Sequence, residues 1–353
     1  MGNFSGNQYK IGLGIRDQSG TNAEIGGSSS VVDSIAEMRL TTINDIVWDG
    51  AFQTATIAKS GRRGYLNQDY ISKYGAGTWT WDFDYLVDNQ LIAQKLLSLI
   101  YPTGAGNTCA TACTIPSDPA QADVQDGAVG AIDSCGDITI LAPTYTGATG
   151  IADEDRTLQN CILQNLTIAC DVGTDGGRPH LTGQFMTGYK PTIADSSTSI
   201  VASASANEWD FSIFDLGTRT VCGVASSTIK SFSITIDNPA TRVGWQGTSA
   251  EADGYMRSGL VNVTGSITAK LTSGIADLLT TWQTEGAIAS PIDKASTAVT
   301  LEKSASWSIS LPSVLITGYS QDQANDGIFV TIDFIATGGS KGGESNLAVI
   351  KMT

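Results

Sequence analysis

The sequence predicts a mainly β protein made of two tandem antiparallel β-sandwich or barrel modules, each with a short flanking α-helix. Three observations carry this expectation. Runs of alternating apolar and polar residues recur along the chain, and period two marks a half-buried strand. The same order of elements is written twice, which is the signature of an internal repeat. Only 16% of residues are charged while 41% are apolar, a composition that favours a folded chain rich in strands and turns over a disordered one. At 353 residues the chain exceeds the usual single-core size, so two cores are expected.

Taken in order, residues 1–34 read as an N-terminal arm, ending in EIGGSSSVVDS, where Gly and Ser cluster and charge is scarce. The first module spans residues 35–190. From Met38 the text alternates as MRLTTI, reaches a turn-rich stretch at Trp48–Gly50, and after GRRGY gives GTWTWDFDY, with Trp79, Trp81 and Phe83 on one face. A helix follows in DNQLIAQKLLSLIYP. Leu91, Ile92, Lys95, Leu96, Leu99 and Ile100 recur at helical spacing, Asp88 or Asn89 can cap the start, and Pro102 marks the end. Residues 103–157, with CATAC, SDPAQADVQDG and IADEDR, form an insert that reads as a surface loop or small subdomain. Residues 161–189 then read as strand, Asp/Gly loop, strand.

Residues 191–221 form a crossover linker of low complexity, although EWDFSIFDL within it has strand character. The second module, residues 222–353, repeats the order. IKSFSITI points Phe232, Ile234 and Ile236 inward, DNPATRVGWQG is turn-rich, and GYMRSGLVNVTGSITAKL supplies a strand matching the Gly-Tyr-led stretch of the first half. In SGIADLLTTWQ, Ile275, Leu278, Leu279 and Trp282 share a helical face. Residues 308–337 close the module as strand, Asn-Asp-Gly turn, strand, before a C-terminal tail.

Catalytic, cofactor-binding and metal-ligating residues are all expected to be absent. The single histidine, His180, lies in a GGRPH turn with no acidic partner nearby in the sequence, which removes Ser-His-Asp and His-rich zinc architectures. Six cysteines (Cys109, Cys113, Cys135, Cys161, Cys170 and Cys222) are sparse and irregular, so they read as reduced, buried thiols, with a structural disulfide as the alternative. Cys109 and Cys113 could join Cys135 or Cys161 around zinc, but the spacing is not the tight double pair of a zinc site. IADEDR and DVGTDGG do not match a calcium loop and read as solvated turns. No phosphate loop, dinucleotide fingerprint or nucleophile elbow is present.

Twenty basic against 35 acidic residues leave a formal net charge of −15. Such a surface repels phosphate backbones and anionic membranes, which excludes tight nucleic-acid binding but suits a passage that a polyanion must traverse without being held. No apolar run reaches the roughly 18 residues of a spanning helix, and the opening MGNFSGNQYK lacks a secretory pattern, so the chain reads as soluble and made in the cytoplasm. Asn165 and Asn262 open formal glycosylation sequons, which carry no meaning without secretion.

The runs IKSFSITIDNPATRVGWQG, GYMRSGLVNVTGSITAKL and ISLPSVLITGYSQDQANDGIFVTIDFIATGG, together covering Ile229 to Gly339, resemble the major tail tube proteins of long-tailed bacteriophages. The first half fits the same outline less closely, because Trp79, Trp81 and Phe83 are bulkier than that family's usual strand and the insert is unusual. The resemblance implies two packed antiparallel sheets with a flanking helix, stacked as rings around a DNA channel, as in the tubes of contractile injection machines. Most such rings hold six single-module subunits, so two modules per chain imply three chains per ring and pseudo-sixfold symmetry. It further implies a non-enzymatic virion protein, assembled in the host cytoplasm, whose partners are its own copies, other tail proteins and genomic DNA that passes without specific binding. A capsid decoration, distal tail or baseplate ring is the alternative within the virion. A carbohydrate-binding sandwich is the alternative outside it, with Trp79, Trp81, Trp245 and Trp282 as stacking platforms.

Overall fold

In a computed structural model the chain is mainly β, with every strand pairing antiparallel. The structure describes residues 9–17, 31–32, 35–40, 42, 44–49, 52–56, 70–74, 77–100, 113–116, 134–141, 155–193, 200, 211–226, 228–244, 251–252, 254–285, 297–304, 307–324, 327–338 and 346–352. The strands of the first half are β1 (Lys10–Asp17), β2 (Val31–Val32), β3 (Ala36–Glu37), β4 (Val47–Asp49), β5 (Phe52–Thr56), β6 (Tyr70–Tyr74), β7 (Thr78–Leu86), β8 (Cys113–Pro116), β9 (Ser134–Leu141), β10 (Arg156–Asp171), β11 (His180–Thr187) and β12 (Thr192–Ile193). Those of the second half are β13 (Thr218–Val221), β14 (Val224–Ala225), β15 (Ile229–Asp237), β16 (Ala240–Val243), β17 (Gly254–Arg257), β18 (Asn262–Lys270), β19 (Thr297–Ser304), β20 (Trp307–Ala324), β21 (Gly327–Ala336) and β22 (Asn346–Met352). Two helices stand in the same place in the order, α1 (Gln90–Ile100) after β7 and α2 (Ser273–Glu285) after β18.

Most of the strands wrap around one large core in a barrel-like arrangement, while β5–β6 and β16–β17 form separate two-stranded sheets and Ile162, Met186, Tyr189, Ala240, Ala252 and Tyr255 form a second, smaller cluster. Its main wall is a continuous ladder in the order β4–β7–β11–β10–β15–β18–β21–β20. The ladder does not close. Among the described residues, β4 pairs only with β7, and the C-terminal part of β20 pairs only with β21.

Two long strands, β10 and β20, each change partners along their length. The N-terminal half of β10 pairs with β9 and β12, and its C-terminal half with β11 and β15. The N-terminal half of β20 pairs with β19 and β22, and its C-terminal half with β21. Each strand carries two extra residues of its own, and they fall at corresponding places; a further shift opposite β20, between Glu302 and Ser304, has its extra residue on β19. On β10 the register with β9 shifts between Leu158 and Cys161 and the register with β11 between Leu163 and Asn165. On β20 the register with β19 shifts between the residues facing Val299 and Thr297, Leu311 and Val314, and the register with β21 between Ile316 and Gly318. An extra residue of this kind bends a strand and turns its side chains over, which lets one strand bury residues in both of its ladders.

The remaining pairings follow the same parallel. Thr80, Trp79 and Thr78 of β7 face Val47, Trp48 and Asp49, as Thr264, Val263 and Asn262 of β18 face Thr235, Ile236 and Asp237. Gly12 and Leu13 of β1 face Glu37 and Ala36, as Thr220 and Val221 of β13 face Ala225 and Val224. The β13–β14 hairpin turns on Cys222 and Gly223 at φ 48° and 84°, the left-handed pair that a two-residue hairpin loop demands.

Three segments differ from the sequence expectation. Lys10–Asp17, read as part of an arm, is a strand paired with β9 along its whole length, burying Ile11 and Leu13. The 103–157 insert contains β8 and β9, and the 191–221 linker contains β12 and the paired strand β13. In each case a short alternating run is embedded in polar, turn-rich text that hides it. β8 also braces the halves, because it pairs with β22 at the other end of the chain. Gln94 of α1 adds to that brace by donating to the Met352 carbonyl at 3.0 Å.

The helices follow their expected capping logic. Leu91 N–H donates to Asn89 Oδ1 at 2.8 Å at the start of α1, and Ile275 N–H to Thr272 Oγ1 at 3.3 Å at the start of α2. α1 buries Ile92, Leu96, Leu99 and Ile100, with Lys95 at 3% exposure, while α2 buries Ile275 and Leu278. Aromatic clusters fill the core in both halves. Trp81 stacks near Phe83 and Phe185, with ring centroids 6.1 and 6.3 Å away, and Phe211 stacks on Trp307 at 4.0 Å.

Where the first half puts Trp81 opposite Phe185, the second puts Gly265 opposite Phe334. A Cβ on Gly265 would stand 2.5 Å from the Phe334 ring and 3.1 Å from the Ser233 carbonyl. Gly265→Ala is therefore expected to destabilise the fold by about 1–3 kcal/mol through overpacking, read as a lowered midpoint of chemical unfolding.

Candidate functional site

The most distinctive surface is the outward face of the eight-stranded ladder. Alternation sends Phe232, Ile234 and Ile236 of β15 into the core and leaves Ser233, Thr235 and Asp237 outside. Cross-strand pairing then extends each outward residue into a row. One row runs Asp84, Thr182, Thr167, Thr235, Thr264 across β7, β11, β10, β15 and β18. The next runs Asp82, Gln184, Asn165, Asp237, Asn262 across the same strands. Further along, Ser266 faces Asp333 and Thr268 faces Thr331.

These rows are bonded within the surface. Thr167 and Thr235 hydroxyls lie 2.8 Å apart, Thr268 and Thr331 hydroxyls 2.9 Å apart, and Gln184 Nε2 donates to Asp82 Oδ1 at 2.8 Å. The charge pattern is one-sided. Asp82, Asp84, Asp237, Asp322 and Asp333 stand along the wall, whereas the Lys and Arg residues of its ladder strands, Arg156, Lys230 and Lys270, stand at strand ends. Lys230 there lies over the Phe329 ring, 5.2 Å from its centroid. The face is a sheet of hydroxyls, amides and carboxylates.

His180 begins β11 at one margin of this face. The sequence leaves it without an acidic partner, and the structure corrects that. Its Nδ1 is 2.9 Å from Asp84 Oδ1 and its Nε2 is 2.8 Å from Asp175 Oδ2. Asp175 comes from the turn after β10, five residues before His180, while Asp84 comes from the neighbouring strand, 96 residues away, where no local pattern could reveal it. Partial burial lowers the imidazole pKa, but the two carboxylate hydrogen bonds and charges outweigh it and the net shift is upward. With both ring nitrogens held by carboxylates the charged form is a double donor that clips the turn to the sheet. It offers no free nitrogen to act as a general base.

The other candidates resolve as follows. Cys113, Cys161, Cys170 and Cys222 are free and buried, as reduced thiols, and burial next to Asp171 pushes the Cys170 thiol well up. Cys109 and the side chain of Cys135 lie outside the described residues, so the Cys109–Cys113 grouping does too. Among the described residues no group of His, Cys, Asp and Glu is arranged to hold a metal. In DVGTDGG, Asp171 Oδ1 accepts from Gly173 N–H at 2.7 Å and Asp175 takes the His180 clip. Most of IADEDR lies outside the described residues, while Arg156 at its end approaches Asp45 at 3.8 Å. Trp81 is 1% exposed and Trp79 half-buried, which places Trp81 in the core and not on a sugar platform. Trp245 and the side chain of Trp282 lie outside the described residues. A groove of about 510 Å³ opens at the end of the β10–β15 ladder, lined by Val172, Ile213, Phe214 and Phe329 with Arg219 and Lys230. No described helix is long and apolar enough to cross a membrane.

Because its folded pKa is raised, His180 adds stability that is fully present below its unfolded pKa of about 6.5 and is lost as pH rises through the folded value. His180→Gln is therefore expected to lower stability most below pH 6.5, by about 1 kcal/mol given the half-exposed partners. The gap to the native chain should close towards alkaline pH. Chemical unfolding of both proteins across that range checks it, and a gap independent of pH would refute the clip.

A scan against protein-family models and a search of curated proteins both found no match to the chain.

Proposed function

We propose that this chain is a structural protein of two tandem modules, three copies of which close into a ring, with rings stacked into the tail tube of a long-tailed bacteriophage. The observation that carries the reading is the recurrence of strand register between the halves, down to both irregularities of β10 and β20. In this reading the first module runs from β1 to β12 and the second from β13 to β22. β12 and β22 then occupy the same place on β10 and β20.

Two such modules are already joined side by side through the β10–β15 ladder. A ladder that, among the described residues, leaves one edge of β4 and one edge of the C-terminal half of β20 without a partner would be a segment of a longer wall. Three copies would set roughly 24 strands around it, and at about 4.8 Å per strand the circumference is about 115 Å. That corresponds to about 37 Å across at the backbone before strand tilt widens it. Barrels of fewer strands already enclose aqueous channels, so this wall would leave a lumen with room for a nucleic-acid duplex.

The chemistry of the wall suits such a passage. Each Lys or Arg that met a phosphate would release counterions and hold the strand, so a surface that must let DNA slide needs hydroxyls and carboxylates in its place. The outward face of the ladder has that character, with Lys230 and Lys270 only at strand ends. The protein would thus act as a virion component without catalysis, contacting its own copies, other tail proteins and passing DNA.

Electron microscopy of the purified chain at rising concentration tests the reading. Stacked rings with threefold symmetry and six similar lobes are expected. A monodisperse monomer at every concentration, with no tubular particles, would remove the proposal.

A further inference from the structure

We infer that the free edge of β20 binds β4 of a second copy of this chain in the register that β10 uses for β15, with Ser320 directly opposite Val47. The internal junction is the template. β10 and β20 match through both irregularities, and Val47–Asp49 of β4 match Thr235–Asp237 of β15 through their pairing with the next strand, so three pairs of the β10–β15 ladder have counterparts on the two open edges. Asn165 facing Asp237 becomes Gly318 facing Asp49, Leu166 facing Ile236 becomes Tyr319 facing Trp48, and Thr167 facing Thr235 becomes Ser320 facing Val47.

Both edges have the properties of surfaces awaiting a partner. Val47 is 55% exposed, unusual for a β-branched apolar residue in a strand, and Ser320, Gln321, Asp322 and Gln323 are all exposed. Among the described residues no strand pairs with these edges, so their outward backbone donors and acceptors form a template for another strand. A second copy is the occupant the geometry favours, because a wall built from one repeated unit meets the same edge at each end and its symmetry closes. Gly318 contributes to the fit, since a Cβ there would stand 2.7 Å from Asp333 Oδ2, and its absence leaves room for that carboxylate on the polar face. One pair opposes the register. Asp322 would face Asp45, and Arg156, 3.8 Å from Asp45, offsets the like charges.

This inference deepens the ring reading, and it has its own test. Val47→Cys chains are mixed with Ser320→Cys chains, allowed to associate, and oxidised mildly. Residues directly opposite in an antiparallel pair have Cβ atoms about 4.5–5.5 Å apart, near disulfide range, whereas those offset by two are about 7–8 Å apart. A disulfide-linked dimer is therefore expected in the mixture at least about fivefold above either single variant alone, and above Val47→Cys mixed with Asp322→Cys. A chain carrying both V47C and S320C should give covalent trimers that resist dilution. Association by light scattering without the Val47–Ser320 link, equal linkage at Asp322, or failure to associate at all would each overturn the register. Tubes that form without the link would overturn the register and leave the tube reading intact. Linked trimers that never stack would keep the register and remove the tube.

Discussion

A strand that pairs with one set of neighbours along its first half and another along its second cannot keep a single unbroken register, and β10 and β20 are both in that position. Each meets the constraint with two inserted residues, one on the way out of its first ladder and one on the way into its second. The bends carry both strands from the shared core to the continuous ladder. Without them β10 could not pair with β9 and β15 at once, the halves would lose the strand that joins them, and the helices would have nothing to cover. A bulge can hold a residue in a strained backbone conformation. Asn160, at φ 51° within the first irregularity of β10, is where that strain is visible.

The same bends explain what could be read from the sequence and what could not. IKSFSITI stays on one face of one ladder, so its alternation is unbroken and its inward residues are legible as Phe232, Ile234 and Ile236. Both helices keep a 3.6-residue stripe beneath a polar cap and are equally plain. β10 is different, because Cys161, Ile162 and Leu163 are buried in succession as the strand passes between sheets, and no single period describes it. β8 has only four residues, and the strands that β1 and β8 pair with are far away in the chain, so their polar neighbours make each look like loop. The His180 clip was illegible for a related reason. Asp84 is 96 residues from its partner and is brought there only by the β7–β11 register.

The outward face depends on that register too. Composition announces an acidic protein, but only pairing decides that threonines fall beside threonines and that Asp82, Asp84 and Asp237 fall on one side of the sheet. A one-residue slip would carry Ile234 and Ile236 into solvent and Thr235 into the core. The apolar residues thus hold the polar rows in place, and the chemistry of the wall is a by-product of correct packing beneath it.

In the ring proposed above, carrying two modules on one chain would have a physical consequence. Each association of free subunits loses translational and rotational freedom, a cost of several kcal/mol per contact. Covalent linkage would remove it at every second junction, and the junction so secured would be β10–β15, which β8 on β22 and Asn238 Nδ2 donating to the Ile100 carbonyl at 2.7 Å reinforce. Linkage would also free the halves to diverge, since the two kinds of junction would no longer need the same residues. Thr235 can keep a hydroxyl partner inside the chain while Val47 presents an apolar side chain at the edge. A ring assembled this way would have two chemically distinct seams in alternation, with the weaker seam setting when it closes.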